Sequence, residues 1–111
     1  TKGLYLNATN AAITSPGVVN DTSPTDSVFT TSAAAFTNVS GQDFIAYLFA
    51  SLDGISKIGS VTHSGTTNVD CGFSSGARFV LLRRTDAAGD WYVWDSERGI
   101  VSGNDPYLLL N

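Results

Sequence analysis

The chain has 111 residues, 42% of them hydrophobic and 14% charged, with a formal net charge of -4. That length suits one modest core in a single domain over 1–111, and a pI near 4.5 leaves no electrostatic footprint for nucleic acid. The longest apolar run, residues 44–50, is far short of the ~20 residues needed to cross a bilayer, and a single cysteine cannot form an internal disulfide.

The minority residues set the fold class. Nine Asp stand against one Glu, lysine occurs only at Lys2 and Lys57, and Ser, Thr, Asn and Gly are abundant. These types belong in turns and on strand rims, whereas helix surfaces favour Ala, Glu, Lys and Gln. With short aromatic and β-branched runs between them, the composition predicts an all-β protein.

In chain order, Gly3–Asn7 reads as a strand. Asn10–Pro24 reads as a surface loop, with at most a short extended piece at Val18–Val19. Val28–Thr31 and Phe36–Val39 are candidates for pairing. Seven successive apolar residues, Phe44–Ala50, predict a central strand covered on both faces, followed by a turn at Asp53–Gly54. Ile55–Val61 has three-residue apolar spacing, which suits an edge or bulged strand. Asn68–Cys71 reads as a short strand. Arg78–Arg84 and Asp90–Asp95 read as an antiparallel hairpin across the loop 85–89, with Arg84 opposite Asp90 and Gly89 in a left-handed conformation. The final run, Tyr107–Leu110, is apolar where termini are usually polar. Together with the absence of methionine, even at position 1, it is read as a sign that the polypeptide continues.

Chemistry-bearing residues are sparse. His63 is the sole histidine, and a general base needs an orienting partner that its Thr, Ser and Gly neighbours do not supply; it reads as an exposed loop residue. Cys71 follows Asp70, whose charge disfavours a thiolate, so it reads as a buried, inert thiol. Asp86, Asp90, Asp95, Glu97 and Asp105 are numerous enough for a glycosidase pair, but Arg78, Arg83, Arg84 and Arg98 share the region and cross-strand ion pairing is the simpler reading. No D-x-D-x-D-G run points to calcium, and one Cys with one His does not make a zinc site. No metal or cofactor is expected, and no enzymatic activity. Trp91, Tyr92 and Trp94 are the candidate contact residues for a sugar or a partner. Positions 91 and 94 point to opposite faces of a strand, so one tryptophan is expected in the core and the other exposed, at a subunit interface or under a second layer.

Three stretches carry a resemblance: Phe44–Ala50, Cys71-Gly72-Phe73, and Arg78–Asp95 with its Arg-Thr-Asp, Gly-Asp-Trp and Trp-Asp signatures, followed by Arg98-Gly99. They are similar to an uncharacterised lectin-like β-sandwich family of phage tail-fibre and other virion proteins, found in marine phages and prophages. The match covers residues 41–110, with 1–40 resembling it more weakly. The resemblance implies an antiparallel β-sandwich of jelly-roll or concanavalin-like type. It further implies a structural domain located in the virion, most readily in a tail fibre or spike that assembles or touches the host surface, with capsid decoration second. Implied partners are other virion proteins, further copies of the chain (three in a fibre), and a host-surface glycan. The alternative from another class is a carbohydrate-binding module of a polysaccharide-degrading enzyme. Family members run on past the equivalent of Tyr107–Leu110, so the closing strands are expected from further chain or from a neighbouring subunit.

Overall fold

A computed structural model describes residues 2–14, 19–35, 37–99, 103 and 105–111. The strands among them are β1 (Lys2–Gly3), β2 (Ile13–Thr14), β3 (Phe79–Arg83), β4 (Trp91–Asp95) and β5 (Leu108–Leu109). They form two antiparallel sheets, β1–β2 and β3–β4–β5. The chain divides into two units, Thr1–Ile45 with Phe79–Asn111, and Ala46–Arg78.

The β3–β4 hairpin matches the sequence reading. Phe79 pairs with Asp95 and Arg83 with Trp91, a register that continues to set Arg84 across from Asp90. These strands form because branched and aromatic residues fill both, and the Thr85–Gly89 loop lets the chain reverse. Gly89, however, does not have the left-handed backbone expected of it. Its requirement is for space, since a Cβ there would lie 3.2 Å from the Cβ of Arg84. The charge pattern differs too. Arg84 grips Asp86 within the loop, at 2.6 and 3.0 Å, while the Asp90 carboxylate accepts from the Asn111 amide at 2.9 Å. Two residues apart in one tight loop, Arg84 and Asp86 meet without having to hold long side chains across a strand pair.

β5 adds to β4 with Tyr92 opposite Leu109 and Val93 opposite Leu108. Leu110 N–H donates to the Trp91 carbonyl at 3.2 Å, and the Asn111 side chain accepts from Trp91 N–H at 2.7 Å, which extends the contact to the last residue. β4 is therefore the central strand of this sheet, a place expected for Phe44–Ala50.

The N-terminal segment lies against this sheet. Trp91 Nε1 donates to the Tyr5 carbonyl at 2.7 Å. Gly89 N–H reaches the Thr9 carbonyl at 2.9 Å, and Ala12 N–H reaches that of Thr85 at 3.1 Å. The core sits beneath: Val93, 5% exposed, and Arg83, 8% exposed, are the buried residues among those described.

Several expectations fail. Phe44–Ala50 forms no strand and is exposed, with Ile45 at 85%, Tyr47 at 82% and Phe49 at 79%. An apolar run with no adjacent strand edge has nothing to pair with, whatever its intrinsic propensity. The strand read at Gly3–Asn7 shrinks to Lys2–Gly3. Its partner Ile13–Thr14 falls inside the segment read as loop. Val28–Thr31 and Asn68–Cys71 form no strand, while Val18 and Phe36 lie outside the described residues.

The unit Ala46–Arg78 holds no sheet, and the expected edge or bulged strand at Ile55–Val61 is replaced by a tight turn ahead of it. Leu52 and Ser56 exchange both backbone hydrogen bonds, each 2.9 Å, across the expected Asp53-Gly54 turn, where Gly54 has a φ of 73°. Ser51 Oγ accepts from Ile58 N–H at 2.9 Å. Ser and Gly between the isolated apolar positions leave side-chain-to-backbone bonds as the local alternative to a ladder.

Candidate functional site

Alternation along β4 sorts the aromatic residues onto two faces. Trp91 shares its face with Val93 and with Arg83, its partner in register. Tyr92 and Trp94 lie on the other, with Leu82 opposite Tyr92 and Val80 opposite Trp94. The expected separation of Trp91 from Trp94 is what the structure shows.

The first face is a clamp. The Arg83 guanidinium lies 5.1 Å from the centre of the Trp91 ring, within the range of a cation–π contact. Its Nη1 donates to the carbonyls of Tyr5 at 2.6 Å and Ala8 at 2.7 Å, and its Nη2 to that of Asn10. The planar fork of arginine suits this array of acceptors, and lysine cannot reproduce it. Nε is buried without a hydrogen-bond partner. No carboxylate pairs with this guanidinium among the described residues; carbonyl dipoles and the indole face solvate it.

The second face is an aromatic cluster. Tyr92 and Trp94 stack with centroids 5.5 Å apart and planes 15° apart. Tyr107 meets Tyr92 edge-on at 5.2 Å and 64°, and Trp94 at 6.3 Å. Continuing the β4–β5 register places Tyr107 opposite Trp94. Among the described residues, the Trp94 indole N–H and both phenol hydroxyls make no hydrogen bond to the chain. Val80, Leu82 and Leu109 complete a partly exposed face that presents both flat rings and polar groups. Tyr107 was not among the residues singled out from sequence. Its alternation with Leu109 is the one local signal, and only the β5 register turns that into a contact with Trp94.

Chemistry at the remaining candidates is modest. His63 Nδ1 lies 3.1 Å from Thr67 Oγ1 in an exposed loop. Cys71 is half-buried rather than buried, its Sγ 3.6 Å from the Val69 carbonyl. It lines an open hollow of about 330 Å³ with Asp70 and Phe73, in a loop too short to bury a side chain beneath other elements. The Arg84 guanidinium beside Asp86 holds that carboxyl below its ordinary value. The Arg98 backbone N–H, then its guanidinium, does the same for Asp95, whose Oδ1 also accepts from Glu97 N–H at 3.1 Å. These two ion pairs lie within one loop and one turn, three residues apart or fewer, in place of the cross-strand pairing expected. No group of three His, Cys, Asp or Glu that could hold a metal occurs among the described residues. No helix there is long and apolar enough to cross a membrane.

Two antiparallel sheets, with an aromatic cluster on the larger, define an all-β protein. The chain belongs to the family described as Domain of unknown function (DUF7483), whose model matches residues 1–109. No curated protein and no solved structure matches it.

Proposed function

We propose that this domain is a structural, non-enzymatic part of a phage virion, placed in a tail fibre or spike, where it works by assembly and surface contact. Decoration of the capsid is the second location. The observation that carries this reading is the apolar face of the β3–β4–β5 sheet, where Val80, Leu82 and Leu109 surround the Tyr92–Trp94–Tyr107 cluster. An apolar sheet face is stable when a second layer covers it, which supports a sandwich of jelly-roll or concanavalin-like type completed by further chain or a neighbouring subunit. The resemblance of the Arg-Thr-Asp, Gly-Asp-Trp and Trp-Asp signatures to virion proteins supports the setting.

A second reading, a carbohydrate-binding module, is favoured by one observation: the same cluster pairs flat rings with unbonded indole and phenol groups, which suits a pyranose. Light scattering at micromolar concentration, paired with a glycan titration read by tryptophan fluorescence, separates the two. Association without sugar supports the virion reading. A monomer that saturates with sugar would replace it by the second.

A further inference from the structure

The run Phe44–Ala50 contains no turn, bend or helix. Among the described residues its one hydrogen bond is accepted by the Ala50 carbonyl from Ser56 Oγ, and the backbone groups of 44–49 have no partner there. Seven successive apolar residues with open backbone edges form a template for strand addition. We infer that this run pairs with itself in a second copy of the chain, as an antiparallel two-stranded contact on a two-fold axis at Tyr47. The inference rests on the assembly reading above and specifies how two copies meet.

Three observations select this occupant and this register. A two-fold contact must be self-complementary, and centring on Tyr47 makes it so. Phe44 then faces Ala50 and Leu48 faces Ala46, each pairing large with small, while Ile45 faces Phe49 on the other side. β-Branched residues opposite aromatic ones are favoured cross-strand pairs. Charge discriminates among registers as well. Centring on Leu48 would set Asp43 against Asp53 of the second copy, whereas centring on Tyr47 sets Asp43 against Ser51 and Asp53 against Gly41. Available area is of the right order too. Three aromatic side chains carry roughly 150–250 Å² each, so with Ile45 and Leu48 the run holds much of the ~800 Å² per partner of a standard interface. A two-stranded contact covers only part of that, so the association is weaker than a standard interface gives. The resulting assembly is even-numbered, in contrast to the three copies that resemblance to fibres implies.

Disulfide trapping tests the register in the full 111-residue chain carrying Cys71→Ser. Residues facing each other across a two-fold lie about 4.5–5.5 Å apart between Cα atoms, within disulfide reach. Tyr47→Cys should therefore cross-link to a dimer under mild oxidation. Leu48→Cys, offset by two residues from its own copy and beyond about 7 Å, should not. On the unsubstituted chain, amide exchange over 44–50 should slow as concentration rises through the association midpoint. Tyr47→Asp, which sets two carboxylates face to face, should raise that midpoint about tenfold or more. Association that leaves exchange at 44–50 unchanged, with no Tyr47→Cys cross-link, overturns the strand contact and leaves the assembly reading standing. A chain that stays monomeric overturns both.

Discussion

Arg83 is the residue on which the larger unit depends most. Its guanidinium gathers the carbonyls of Tyr5, Ala8 and Asn10 and lies over Trp91, so one side chain ties the N-terminal segment to β3. Hydrogen bonds from a charged donor contribute more than neutral ones, and these are partly buried. Arg83→Ala should lower unfolding stability by about 2–4 kcal/mol, measured by urea denaturation with tryptophan fluorescence. Arg83→Lys should recover little of it, because an ammonium has no planar fork. A loss below about 0.5 kcal/mol in the alanine variant, the scale of an ordinary surface change, would remove the clamp from the account. Asp95 belongs to the same scale. Its folded value is depressed by the Arg98 backbone and guanidinium, so the turn after β4 gains stability that is complete above the ordinary carboxylate range. That gain is lost as pH falls through the lower, folded value. Asp95→Asn should flatten this acid limb of the stability profile, while the profile near neutrality keeps its shape.

The hairpin is the element that organises the sheet. β4 has a strand on each side, and Val93 at its centre is the buried aliphatic residue of the face that meets the N-terminal segment. Val93→Ala should cost about 2 kcal/mol, from lost transfer energy and the cavity left behind. Leu82→Ala, on the partly exposed second face, should cost less than half of that in the isolated chain. Equal losses would mean that the second face is as well covered as the first. The loop that closes the hairpin depends on Gly89 for a different reason from the one the sequence suggests. A side chain there meets Arg84 rather than a forbidden dihedral angle. Loop length was enough to place the hairpin and its register, although the charges at its two ends bond elsewhere, Arg84 to Asp86 and Asp90 to Asn111.

At the scale of the whole molecule, exposed apolar surface decides behaviour. Phe44–Ala50 is exposed and the Tyr92–Trp94–Tyr107 face partly exposed in one copy, and patches of this kind mark interaction surfaces. The chain should associate at micromolar concentration and bind a hydrophobic dye when diluted below its association midpoint, as light scattering and dye fluorescence will show. Should a glycan bind, Trp94→Ala should abolish the fluorescence response. Trp91→Phe, on the opposite face and hydrogen-bonded to Tyr5, should retain saturation at similar sugar concentrations. Loss of binding in both variants would place the sugar elsewhere.

The amino-acid sequence by itself determined the β class, the β3–β4 hairpin with its register, the turn at Asp53-Gly54 and the division of Trp91 from Trp94. Each of these follows from local rules: residue propensity, alternation along a strand, and the conformations open to glycine. Tertiary structure alone decided which apolar run became the central strand. Phe44–Ala50 is the more hydrophobic, yet β4 holds that place because β3 and β5 supply edges on both of its sides. The same holds for Arg83, whose carbonyl acceptors lie more than 70 residues away along the chain, and for Tyr107, which reaches Trp94 through strand pairing. Strand partnership and burial are long-range properties, set by which segments meet, and no window of neighbouring residues contains them.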